Sequence, residues 1–146
     1  MKMLFNHSRE VGEWVRERVP NVPDWGPFEA LGIVDGTRIV AGVVYNHFAE
    51  ANIEMSVAAE EGVRWLSRDA LFGFFYYPFV TLKCRRVTST IKSSPEQKSV
   101  RKFCQHVGFK YEGVVREFYR DGRDAVIYGM LRRECRWLDH QERLAA

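Results

Sequence analysis

A β-rich run at residues 52–58, a helical stretch after Ser67 and a second β-rich run at 86–91 do most to restrict how this chain can fold. A helical crossover returns the chain beside its first strand in parallel and with right-handed geometry. Tight hairpins give antiparallel neighbours instead, and the chain carries a hairpin signal on either side of the crossover. Asp35-Gly36 lies between runs at 28–34 and 38–48, and Asp121-Gly122 lies between runs at 109–120 and 125–132. Glycine supplies the positive φ that such turns need. The order is helix, three strands, helix, strand, helix and two strands, with no internal repeat. It predicts a mixed sheet covered by helices.

The helices carry their own punctuation. Ser8 is placed to cap a helix reaching about Arg18, with Val11, Trp14, Val15 and Val19 forming one apolar stripe. Pro20 and Pro23 stop it, and residues 20–27 must form a loop. The second helix buries Ala70, Leu71, Phe74 and Phe75 and ends at Pro78. The third is the best marked: Ser94, Pro95 and Gln97 compose a capping box, and Val100, Phe103, Cys104 and Val107 fall at i, i+3, i+4 and i+7. Gly108 then reads as its C-terminal cap. Residues 1–138 read as one domain, and 139–146 as a polar, frayed tail.

Composition narrows the function classes. With 146 residues, a single core can bury about 70% of the unfolded chain's surface without metal or disulfide staples. A content of 46% hydrophobic and 28% charged residues excludes collagen, disorder and coiled coil. The formal net charge of +3 is too small to imply nucleic acid by itself. The 4 Trp, 6 Tyr and 10 Phe suggest a thick core or a pocket for a flat or apolar ligand. Cys84, Cys104 and Cys135 lack C-x-x-C spacing, which points to reduced cytosol, and the N-terminus lacks a secretory apolar stretch. No run approaches a membrane span, so a cytoplasmic protein without a membrane partner is expected. Without secretion, the Asn6-His7-Ser8 glycosylation triplet reads as accidental. His7, His47, His106 and His140 are too scattered for a ligand set, and no metal is expected. The nucleotide, serine-hydrolase and zinc-protease signatures are also missing. What remains is a strand feeding a helix, whose free N–H groups and positive dipole end suit an anion such as phosphate.

The block 87–131 runs from a Val-Thr strand through the capped helix to Val107-Gly108-Phe109, Tyr111-Glu112-Gly113-Val114-Val115-Arg116, Asp121-Gly122 and Tyr128-Gly129-Met130-Leu131. With this block the layout resembles the GNAT superfamily of acyl-CoA N-acyltransferases over nearly the whole chain. The branch acting on protein N-termini, ribosomal proteins included, is the most similar. Glu134-Cys135-Arg136-Trp137-Leu138 looks like the ending of small phage-type members. The resemblance implies an α/β (α+β) fold of six or seven strands with three or four helices. Two parallel strands would splay in its middle to admit the pantetheine arm of acetyl-CoA. Met55, Ser56 and Val57 would then offer backbone to the arm and to the thioester oxygen.

The family's pyrophosphate loop, [Gln/Arg]-x-x-Gly-x-[Gly/Ala], falls on Arg64-Trp65-Leu66-Ser67-Arg68-Asp69-Ala70. Both glycines are missing. Ser67 replaces the first and Asp69 or Ala70 the second, leaving Arg64 and Arg68 to hold phosphates by charge. The family's helix Asn falls on Gln97, and its acid Tyr on Cys104. Gln97 also reads as the capping residue, and Cys104 as a buried hydrophobe. Glu54 is the implied base, with a solvated strand residue as the alternative. Tyr76, Tyr77 and Tyr119 are other candidate acids. Trp25, His47 and Phe48 are candidates for the acceptor pocket.

The implied activity is acetyl transfer to a primary amine on a protein N-terminus, a lysine or a small molecule. Two alternatives stay open. Lys83/Arg85/Arg86 and Lys98/Arg101/Lys102 would serve a nucleic-acid-binding member of the fold, and a non-catalytic acyl-CoA binder would keep the slot alone. A monomer fits, as does a homodimer through Trp137.

Overall fold

The computed structural model describes residues 1–144. Seven strands and four α-helices follow in the order β1 (Lys2–Leu4), α1 (Ser8–Arg16), β2 (Phe28–Asp35), β3 (Arg38–Ala49), β4 (Asn52–Ala59), α2 (Arg68–Tyr76), β5 (Arg86–Lys92), α3 (Lys98–Val107), β6 (Lys110–Val115), β7 (Ala125–Leu131) and α4 (His140–Leu144). One sheet orders them β1-β2-β3-β4-β5-β7-β6. Only β4 and β5 pair in parallel; every other neighbour is antiparallel. This is the mixed α/β architecture that the crossover between two hairpins predicts. The sequence reading omits β1, whose three residues pair with Gly32, Ile33 and Val34 of β2 and are too few to show an alternation.

The helices lie on opposite faces. On one, Val11 and Val15 of α1 are fully buried against Ala30, Val44 and Trp25. Gly42 in β3 permits that contact: a Cβ there would stand 2.8 Å from Val15 Cγ2 and 2.9 Å from Val11 Cγ1. On the other face α2 and α3 cover the larger core, where Phe74, Phe75, Phe79, Val87 and Met130 are almost wholly buried. Burying each such side chain contributes about 1.5–3 kcal/mol. No helix among the described residues is long and apolar enough to cross a membrane.

Several local expectations are corrected. The Ser8 side chain does not cap α1, which has His7 at that position. Its hydroxyl donates to Glu29 Oε2 (2.6 Å) and accepts from the Ala30 N–H (3.0 Å), tying the helix to β2. The capping box at 94–97 does not form either. Pro95–Gln97 is a 3-10 turn without side-chain capping, and the Gln97 N–H donates to the Ser94 carbonyl at 3.1 Å instead. Pro78 falls inside a π-helical turn, Tyr77–Thr81, that prolongs α2. The Asp121-Gly122 hairpin is not tight: β6 ends at Val115, and residues 116–124 form a loop held by Asp124 Oδ1 on the Glu117 N–H (2.9 Å) and Asp121 Oδ1 on the Arg123 N–H (3.0 Å). The tail expected to fray contains α4, attached through Arg132 Nε to the Glu142 carbonyl at 2.6 Å. The rest of it, 145–146, lies outside the described residues.

Candidate active site

The site begins where the sheet fails to close. β4 and β5 pair only at Asn52↔Arg86, Ile53↔Val87 and Glu54↔Thr88. β4 stays in register with β3 as far as Ala59, and β5 with β7 as far as Lys92. Beyond Glu54 the two parallel strands therefore diverge, leaving a slot of about 500 Å³. Ser89 Oγ closes its apex by donating to the Met55 carbonyl at 3.1 Å. Carbonyls of odd-numbered residues face β5, as at Ala51 and Met55, while the Glu60 N–H faces the Val40 carbonyl of β3. Strand alternation thus points the N–H and C=O groups of Val57 and Ala59 into the slot without a strand partner.

The two walls differ. Met55 and Val57 project to the α2/α3 side, where Trp65, Val100 and Phe103 complete an apolar wall. Glu54 projects to the opposite, polar side. Its Oε2 meets His47 Nδ1 at 2.6 Å, and its Oε1 accepts from Thr90 Oγ1 at 3.4 Å. His47 reaches it from a β-bulge, where the β3–β4 register shifts between Asn46 and Ala49 and the His47 φ is +53°. Equal distance from the turn at 50–51 would pair His47 with Glu54 in an unbroken ladder, but the bulge makes Asn46 the register partner of Glu54 and brings His47 to the carboxylate from the side. Tyr119, from the loop before β7, also lines the slot. Burial first, and then the Glu54 charge, raises its phenol above the usual value. Lys92 Nζ joins this side to two loops, through Asp121 Oδ2 at 2.6 Å and Asn21 Oδ1 at 2.9 Å.

At the start of α2, Ser67 Oγ accepts from the Ala70 N–H at 3.0 Å, so the hydroxyl occupies one helix-end donor. The N–H groups of Arg68 and Asp69 remain in the first turn. Asp69 is exposed and does not line the slot. Arg64 is exposed too, while Arg68 leans towards the Arg136 carbonyl (3.4 Å) and the Trp137 ring (5.9 Å). Trp65 and Leu66 line the slot, and Trp65 packs 5.9 Å from both Phe74 and Phe103. Ser56 and Gln97 line it as well. Beneath the apex lies a smaller pocket of about 50 Å³ that reaches Cys104, a residue only 5% exposed. Desolvation pushes that thiol up to about 12.

The other candidates fall elsewhere. Trp25 is a core residue, with Nε1 donating to the Gly12 carbonyl at 2.9 Å, and it does not line the slot. Phe48 is exposed beside the bulge. Tyr76 packs on Phe72 and Tyr77 on Tyr45, leaving Tyr119 as the one named tyrosine in the slot. Trp137 is half-buried, with its indole N–H donating to the Val107 carbonyl at 2.7 Å. The basic clusters are partly spent: Arg86 pairs with Glu112 at 2.5 Å, and Arg101 donates to the Lys92 carbonyl at 2.7 Å. Among the described residues, no three His, Cys, Asp or Glu side chains gather as a metal site would require.

No protein-family model matches the chain, and no curated protein does. Solved structures do. A spermidine N-acetyltransferase SpeG chimera from Vibrio cholerae and hSSAT superposes with a TM-score of 0.73 at 10% identity, covering 95% of this chain and 100% of that one. RimJ from Mycobacterium smegmatis, in complex with CoA-disulfide, gives a TM-score of 0.62 at 20% identity, over 82% of this chain and 59% of that one. A protein from Desulfovibrio desulfuricans assigned to the GNAT family gives 0.61 at 19% identity, over 71% of this chain and 69% of that one. At such identities the shared property is the fold: this chain has the architecture of the GNAT acetyltransferases.

Proposed function

We propose that this protein is an N-acyltransferase that moves an acetyl group from acetyl-CoA to a primary amine. One observation carries the reading: the parallel strands part after three residue pairs, and the gap is lined on one wall by free strand backbone. An extended arm with alternating amides is the ligand such an edge pairs with, because each unpaired N–H and C=O gains a partner. The residues present fit that co-substrate. The open groups of Val57 and Ala59 suit the arm, and Gln97 stands beside it. The N–H groups of Arg68 and Asp69, with the guanidinium of Arg64, suit a diphosphate. Without the loop glycines, charge replaces close backbone approach.

The chemistry divides across the slot. The Val57 N–H polarises the thioester carbonyl and holds the oxygen as it becomes negative. The amine enters from the polar wall, and its nitrogen bonds to the carbonyl carbon as the C–S bond breaks. Glu54 takes the proton that the amine loses, and His47, bonded to Glu54 and open to water, passes it to solvent. Tyr119 returns a proton to the departing thiolate and is restored from water. We assign Cys104 to packing, since it lies beneath the apex, 5% exposed among apolar side chains, and does not line the slot.

The acceptor remains a primary amine of unassigned kind; a polyamine such as spermidine and a protein N-terminus, the acceptor of the branch this chain most resembles, are the first two to assay. Calorimetry with coenzyme A and acetyl-CoA, followed by thiol release over an amine panel, tests the reading. Binding with turnover supports it. Binding without turnover on any amine would leave an acyl-CoA binder, and no binding would end the reading.

A further inference from the structure

The small pocket beneath the apex has no use in the transfer of an acetyl group. It shares Met55, Val57, Ser89 and Ile91 with the slot, then continues between α2 and α3 to Cys104 and Val107. Its exposed lining is mostly apolar, with Ser89 Oγ at the neck already engaged on the Met55 carbonyl. An arm that enters at the wide end of the slot reaches Met55 and Ser89 last, because the β4–β5 ladder resumes there. On the wall away from Glu54, a chain beyond the thioester would continue into this pocket.

We infer that the pocket is an acyl-chain site, so that the transferase also takes donors whose acyl chain is longer than acetyl. The inference rests on the transferase reading above. A volume of 50 Å³ gives room for about three or four water-sized groups, which corresponds to a butyryl or hexanoyl chain. Each methylene moved from water into an apolar site strengthens binding by about fourfold. The position also leaves the carbonyl carbon facing the polar wall, so a longer chain does not block the amine.

Titration calorimetry with coenzyme A and with its acetyl, butyryl, hexanoyl and decanoyl thioesters tests this on the intact protein. Butyryl-CoA, with two more methylenes, should bind about 16-fold more tightly than acetyl-CoA and hexanoyl-CoA, with four, about 250-fold, and decanoyl-CoA should lose that gain because it overfills the pocket. Val107→Leu fills the pocket from a position outside the slot; it should abolish the preference and leave acetyl-CoA binding within about twofold. Should that variant misfold, Cys104→Ala enlarges the same space and should move the optimum to a longer chain. Equal or weaker binding of butyryl-CoA and hexanoyl-CoA, with coenzyme A still bound, overturns the inference alone. Affinity rising steadily through decanoyl does so too, since the chain would then lie on an unbounded surface. Failure of coenzyme A itself to bind removes the transferase reading and this inference together.

Discussion

The two edges of β5 meet their neighbours very differently. Towards β7 the strand pairs over its whole length, from Arg86↔Leu131 to Lys92↔Ala125. Towards β4 it pairs at three positions and then leaves. The same seven residues therefore finish a stable ladder on one side and frame a slot on the other. Its two faces differ as well: Val87 and Ile91 point to the core, Ile91 also reaching the slot, while Thr90 and Lys92 line the slot's polar side. A sheet edge without a strand partner is a liability. Here it is kept inside the molecule, where only a ligand that fits between two strands can reach it.

Proline placed on either side breaks or sharpens this contrast. Val126 of β7 lies between Ile91 and Val114, so its N–H is part of a ladder whichever way it faces. Val126→Pro orphans a buried carbonyl, at a cost of about 1–3 kcal/mol before any displacement, and should lower Tm by about 5 °C or more in a circular dichroism melt. Val57→Pro removes an N–H that faces the slot. Its Tm should fall far less, but kcat should drop by about 100-fold or more if that group holds the oxyanion. Equal Tm losses for the two variants would show that the β4 edge is not free.

Next in size is Glu54→Gln, which should lower kcat by about 100-fold with little change in acetyl-CoA affinity. An unchanged kcat would return Glu54 to the role of a solvated strand residue paired with His47. Arg64→Ala with Arg68→Ala should weaken coenzyme A binding by about threefold to tenfold, the share expected of two exposed charged partners. Unaltered affinity would move the diphosphate away from α2.

An effect confined to alkaline pH reports the core side of β5. Burial raises the folded Cys104 thiol to about 12 and Cys135 to about 11. A raised folded value means that the native state keeps its protons while the unfolded state loses them. The stabilisation is complete below about pH 8.5 and is lost as pH climbs through 11 to 12. The slope is at most about 1.4 kcal/mol per pH unit for each thiol. Cys104→Ala should flatten part of this fall in Tm between pH 9 and 11, beyond which tyrosines also titrate.

Much of the architecture was legible in local patterns. Alternation, glycine turns and a crossover of fixed handedness are short-range rules, so six of the seven strands, the parallel pair and the order of the first three helices follow from them. The details that failed were those for which a side chain had two partners available. Ser8 and Ser94 both looked like caps, but the Ser8 hydroxyl meets Glu29 and Ala30, and at Ser94 it is the carbonyl that is used, by Gln97 and Arg101. Trp25 looked like a rim residue because prolines surround it, yet its indole reaches the Gly12 carbonyl of α1.

What the amino-acid order determined by itself was the set of elements between α1 and β7 and the placing of Glu54 on one of the two parallel strands, because both depend on near neighbours in the chain. Only the tertiary structure decided where β4 leaves β5, that His47 meets Glu54 across a bulge, that Tyr119 returns to the slot and that Cys104 lies beneath it. The reason is physical. Those facts depend on how twisted strands, loops and helices share space over long separations, and no local preference encodes that.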